Sequence, residues 1–110
     1  MRLMRWVKLT GTNRSLQLLY RAFNRAYFDN RLPEVTVKFS PKPLRGCMGF
    51  YSEEKELIVI SSVLRRWRRT TCMVLLHEMA HVATPGKQHG AAFQRVMMSL
   101  AKIGAFRQLW

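Results

Sequence analysis

Acidic residues are scarce in this chain of 110 residues: Asp+Glu number 6 against 19 Lys+Arg, a formal net charge of +13. Such an excess strains a compact fold by self-repulsion and ordinarily has a polyanionic partner. Nucleic acid is the first expectation. An anionic membrane surface is a weaker one, because no basic amphipathic anchor stands out. Cysteine is scarcer still. Cys47 and Cys72 form no C-x-x-C pair, which excludes a cysteine zinc ribbon. Both lie in apolar stretches, where a buried free thiol is expected. No apolar run reaches the ~18 residues that a spanning helix needs, and Arg5 and Lys8 interrupt any signal-peptide core in "MRLMRWVKLT". The expectation is a soluble, unsecreted, cytoplasmic protein, nucleoid-associated if it binds DNA. Repeats, low-complexity tracts and linkers are absent. With 48% hydrophobic and 11% aromatic residues, residues 1–110 read as a single globular domain.

The hydrophobic pattern predicts an α+β fold. Leu16, Leu19, Tyr20, Phe23 and Tyr27 recur at helical spacing over residues 15–28, with Ser15 as N-cap and Asn30 and Pro33 ending the helix. "EVTVKFS" alternates as a half-buried strand. "CMGFYS" and "ELIVIS" are two further strands joined by "EEK", giving a small three-stranded sheet. "SSVLRRWRRT" leads into the helical run "TCMVLLHEMAHVA", which "TPGKQ" breaks. "AAFQRVMMSLAKI" is an amphipathic C-terminal helix. The order is helix, strands, helices around one small core.

All three histidines of the chain fall within "LLHEMAHVATPGKQHG". His77 and His81 are four residues apart, about 40° of rotation and roughly 6 Å of rise on a helix, so their imidazoles share a face and can reach one zinc ion. Glu78 projects roughly 100° away, beside the metal but not as a ligand. This is the H-E-x-x-H arrangement of zinc peptidases. The surrounding run, Cys72 to Ala83, is otherwise apolar, and a buried helix with three polar groups at that spacing calls for a compensating cation. A catalytic zinc site takes three protein ligands and leaves one position open. No Asp or Glu follows Glu78, so His89 is the downstream candidate for the third ligand. Its spacing is too long for the H-E-x-x-H-x-x-G-x-x-H pattern. The expected chemistry is hydrolysis, with Glu78 taking a proton from an activated water and passing it to the leaving amine. A strand edge beside the site would hold an extended peptide, and "ELIVIS" is the expected strand. Tyr51 and Arg95 are the candidates for stabilising the oxyanion.

These segments resemble the SprT-like zinc metallopeptidase family. "LLYRAFNRAYFDNRLPEVTVKFS" is similar to its first helix, tyrosine–phenylalanine and leucine–proline signature, and first strand. "LLHEMAHV" and "HGAAF" are similar to its zinc helix and third-ligand motif. The resemblance implies a zincin-like fold, His77, His81 and His89 as Zn2+ ligands, and Glu78 as general base. Spartan-type members cleave proteins crosslinked to DNA, which implies a part in DNA–protein crosslink repair. Many relatives carry a further zinc ribbon. Two cysteines cannot build one, so any DNA contact is expected from the catalytic domain.

"RRWRR", residues 65–69, is the candidate nucleic-acid segment. Trp67 can stack on an unpaired base while Arg65, Arg66, Arg68 and Arg69 hold phosphates. The competing expectation for Trp67 is a core ring beneath a solvated basic face. Three functions follow: a zinc endopeptidase acting on proteins bound or crosslinked to DNA, with single-stranded DNA as partner; a zinc peptidase whose charge serves acidic protein substrates; and a non-catalytic DNA-binding module with structural zinc. Glu78 disfavours the third, because a structural site has no use for a general base.

Overall fold

The computed structural model describes residues 9–86 and 89–106. The described elements are α1 (Asn13–Tyr27), β1 (Thr36–Phe39), β2 (Gly49–Ser52), β3 (Leu57–Ile60), a 3-10 turn at Ser62–Leu64, α2 (Arg68–Ala83) and α3 (Ala91–Lys102); α1 and α2 pack on the three-stranded sheet and α3 packs on α2. The expected α+β fold with its small sheet is therefore present. No described helix is long and apolar enough to cross a membrane.

Helix α1 starts two residues earlier than its apolar pattern. Its N-cap is Thr12, not Ser15: the Thr12 hydroxyl accepts from the Ser15 backbone N–H at 3.1 Å, and the Ser15 hydroxyl donates to the Thr12 carbonyl at 2.8 Å. Both residue types can cap, and the polar stretch before Leu16 offered no way to choose between them. The helix buries Leu16, Leu19, Tyr20 and Phe23 completely. It ends where Asp29 and Asn30 take positive φ. The buried Asn24 amide then clamps the reversal through Leu32, donating to its carbonyl at 3.0 Å and accepting from its N–H at 3.1 Å.

The sheet order is β1-β3-β2, with β1 parallel and β2 antiparallel to β3. Val37, Phe39, Ile58 and Ile60 share the face that meets the helices and are all buried. With β3 in the centre, both its edges are paired, so "ELIVIS" is not the open edge expected from its place before the zinc helix. Sequence proximity to α2 was a poor guide because β3 inserts between the two strands that precede it. The outer edge of β1 is filled by α1 side chains. Gln17 accepts from the Val37 N–H and donates to the Val35 carbonyl, each at 2.8 Å, and Asn13 accepts from the Phe39 N–H at 2.9 Å. That leaves the outer edge of β2.

β2 lies close against α2. A Cβ at Gly49 would sit 2.8 Å from Val74 Cγ1 and 3.0 Å from the Val59 carbonyl oxygen. Glycine is the residue that permits this approach, which brings the open strand edge beside the helix carrying the histidines.

Candidate active site

Helix α2 presents Thr70, Met73, Val74, His77 and His81 along one side, as the 3.6-residue period requires. These residues line a cavity of about 970 Å³, together with Glu78, β2 and His89. At the end of α2 the Thr84 hydroxyl donates to the Ala80 carbonyl at 2.8 Å, and Pro85 and Gly86 turn the chain. The chain returns at His89, with Gly90 as N-cap of α3.

All three predicted ligands come together. His89 Nε2 lies 3.2 Å from His81 Nε2 and 3.2 Å from His77 Nε2, and the ligand atoms of the three rings fall within 4.8 Å of one another. Two nitrogens each about 2 Å from a tetrahedral zinc are about 3.3 Å apart. The spacing therefore fits a metal of zinc's size, and an all-imidazole set suits zinc. Phe93 backs the rings, with its centroid 5.0, 4.4 and 4.8 Å from those of His77, His81 and His89. Buried itself, it fixes the planes of all three.

The electrostatics agree with metal binding. Burial lowers the pKa of His77, and the neighbouring His89 adds to the effect. Burial likewise lowers His81, with contributions from His77 and His89. Both rings are held in the neutral form that can donate a lone pair. Glu78 is 6% exposed, and burial pushes its carboxyl up to about 7. A carboxyl so placed exchanges a proton near neutral pH, as a general base must.

The free edge of β2 borders this cavity. The Ser61 N–H donates to the Met48 carbonyl at 2.8 Å. In an antiparallel ladder the bonded pairs alternate, so residues 48, 50 and 52 face β3. The N–H and C=O of Gly49 and Tyr51 then point outward. Among the described residues nothing hydrogen-bonds to them.

The other sequence candidates separate. Tyr51 lines the cavity. Arg95 lines a different groove, between the end of α1 and α3, which removes it from the chemistry. Within 65–69, the Arg65 guanidinium donates to the Gly11 carbonyl and lies 4.7 Å above the Phe39 ring, so it ties the entry of α1 to the sheet. Trp67 is 65% exposed and is not a core ring. Arg66, Arg68 and Arg69 are exposed around it. Cys72 is buried as expected, its thiol raised to about 12 by burial. Cys47 is exposed at the cavity mouth and not buried; the loop before β2 lifts it off the core despite its apolar neighbours. The pattern of apolar positions gave no sign that Met73, Met97 and Phe106 would line the cavity.

A trio of histidines that could hold a metal ion, on and after an H-E-x-x-H helix and beneath an open strand edge, is the arrangement of a zincin-type metallopeptidase site. The SprT-like family model matches residues 16–108, and the chain belongs to that family of zinc metallopeptidases. Two solved structures share the fold. The metallopeptidase zymogen jannalysin of Methanocaldococcus jannaschii aligns with a TM-score of 0.60 at 11% identity, covering 86% of this chain and 97% of its own. The metallopeptidase zymogen abylysin of Pyrococcus abyssi aligns with a TM-score of 0.65 at 16% identity, covering 86% and 87%. No curated protein matches the sequence significantly.

Proposed function

We propose that this protein is a zinc-dependent endopeptidase of the cytoplasm that acts on proteins bound or crosslinked to DNA. The observation that carries the peptidase reading is the convergence of three imidazole nitrogens at 3.2 Å spacings next to a buried carboxylate in an open cleft. His77, His81 and His89 would hold the zinc. A zinc ion there supplies a water of lowered pKa and polarises a carbonyl oxygen. Glu78 takes the proton from the attacking water onto its carboxylate and delivers it to the departing amine as the peptide bond breaks. The outward N–H and C=O groups of Gly49 and Tyr51 hold the substrate backbone extended by adding it to β2 as a further strand. That contact reads no side chain and suits an enzyme that cuts many proteins.

The DNA half of the reading rests on the net charge of +13 and on Trp67, whose ring is available for stacking. Trp67 precedes His77 by ten residues of mostly helical chain, so a strand held there lies roughly 15 Å along α2 from the ligands. Protein attached to that DNA would then meet the cleft. The test is cleavage of a DNA-binding protein with and without single-stranded DNA, using Glu78→Gln as control. Stimulation by DNA that fades as salt rises is expected. Equal cleavage with no DNA affinity at low salt would leave a zinc peptidase whose charge serves acidic proteins.

A further inference from the structure

The cavity beside the histidines is not lined as a site for polar chemistry alone. Its lining includes Met73 of α2, Met97 of α3 and Phe106, with Val74 against Gly49 of β2. Met73 is 44% exposed, a large apolar side chain left in solvent along the approach to the metal ligands. Val74, Met97 and Phe106 are half-buried and pack on the core, so each is braced from behind while it borders the cavity. Phe106 arrives there through a chain reversal. Gly104 takes φ +80°, a backbone state that a side chain would strain, and the Ala105 N–H donates to the Leu100 carbonyl at 3.0 Å. The turn after α3 thus brings a second aromatic ring towards the site, one that is not needed to support the histidines, which Phe93 already does.

An extended peptide paired with β2 points alternate side chains to opposite faces. One set would face the helices that carry these apolar side chains. We infer that these side chains form a specificity pocket, and that the enzyme selects peptides carrying a large apolar residue, aliphatic or aromatic, beside the scissile bond. This inference rests on the peptidase reading of the same site. Methionines at two of the positions make the pocket adaptable, so leucine, methionine and phenylalanine are accepted alike. Serine, glycine and charged residues are disfavoured: the first two bury too little surface, and the last lose hydration without a partner. Burial of one such apolar side chain is expected to tighten binding about ten- to hundredfold.

Binding separates this inference from catalysis. Short fluorescent peptides, alike except for Leu, Met, Phe, Ser or Glu at one central position, are titrated by anisotropy into zinc-loaded Glu78→Gln protein. The Leu, Met and Phe peptides should bind about tenfold or more tighter than the Ser peptide. Met97→Glu should erase the difference while zinc content stays unchanged. Met73→Glu, at an exposed position that does not threaten folding, should weaken it in the same direction. Equal affinities, no binding, or a preference that survives both substitutions would overturn the pocket. Hydrolysis by the unsubstituted protein without apolar preference would overturn it while leaving the peptidase reading intact. Selective binding without hydrolysis would do the reverse.

Discussion

Glu78 should weaken the fold that holds it, and the penalty should depend on pH in a defined direction. The group is 6% exposed, and burial raises its carboxyl from 4.5 to about 7. A raised carboxyl pKa means that the folded state holds its proton more tightly than the unfolded chain does. The penalty is therefore absent below pH 4.5, where both states are protonated. It grows as pH rises through the interval and is complete above about 7. At about 1.4 kcal/mol per pH unit, the full effect is about 3 kcal/mol. Glu78→Gln keeps the shape and cannot ionise. In metal-free protein with chelator present, the substitution should thus stabilise the fold by about 3 kcal/mol at pH 8 and by almost nothing at pH 4. In a domain of this size that is on the order of 10 °C in Tm. The lowered pKa values of His77 and His81 act oppositely in sense: their neutral burial removes stability as pH falls below 6.5. Both proteins share that loss, so it cancels in the difference. The assay is thermal or urea unfolding of the two proteins across the pH series. A difference that is flat with pH, or that is largest in acid, would refute the claim that the carboxylate is buried against its own charge.

Three further outcomes follow from named contacts. His89→Ala should lose most of its zinc in metal analysis after dialysis while the fold survives, because the exposed ring on the α2–α3 connection would contribute a ligand and adds little to the core. Gly49→Val should lower stability by about 1–3 kcal/mol in urea unfolding and reduce peptide binding, because its Cβ would meet Val74 Cγ1 at 2.8 Å; a neutral effect would mean that β2 does not lie against α2 as described. Trp67→Ala should weaken single-stranded DNA binding by about 1–3 kcal/mol and leave Tm nearly unchanged, since the ring is 65% exposed, while charge reversal at Arg66, Arg68 and Arg69 should flatten the salt dependence measured by anisotropy.

The grouping of the three histidines was legible in sequence because helical periodicity alone aligns His77 with His81, and because the chain offers one other histidine. The long helices were legible for the same reason: Leu16, Leu19, Tyr20 and Phe23 state their period locally. Strand order was not. Nothing in "ELIVIS" says that it will insert between β1 and β2, since that depends on pairing across the whole sheet, and the open edge therefore passed to β2. The plugging of β1 by Gln17 and Asn13 was also hidden, because a polar residue on the first turns of a helix looks the same whether it faces water or a strand. Arg65 illustrates the limit for charged runs. The run "RRWRR" made it a candidate phosphate contact, yet its guanidinium is held by the Gly11 carbonyl over the Phe39 ring, a contact between residues far apart in the chain.

Whether these residues form a working hydrolytic centre is read by following peptide-bond cleavage of an unfolded protein substrate with zinc-loaded protein and with Glu78→Gln matched for zinc content. Cleavage by the first, with the second slowed by at least about a hundredfold at equal zinc, is the predicted result. Equal rates in the two proteins, or no cleavage by the zinc-loaded protein with or without single-stranded DNA, would contradict it.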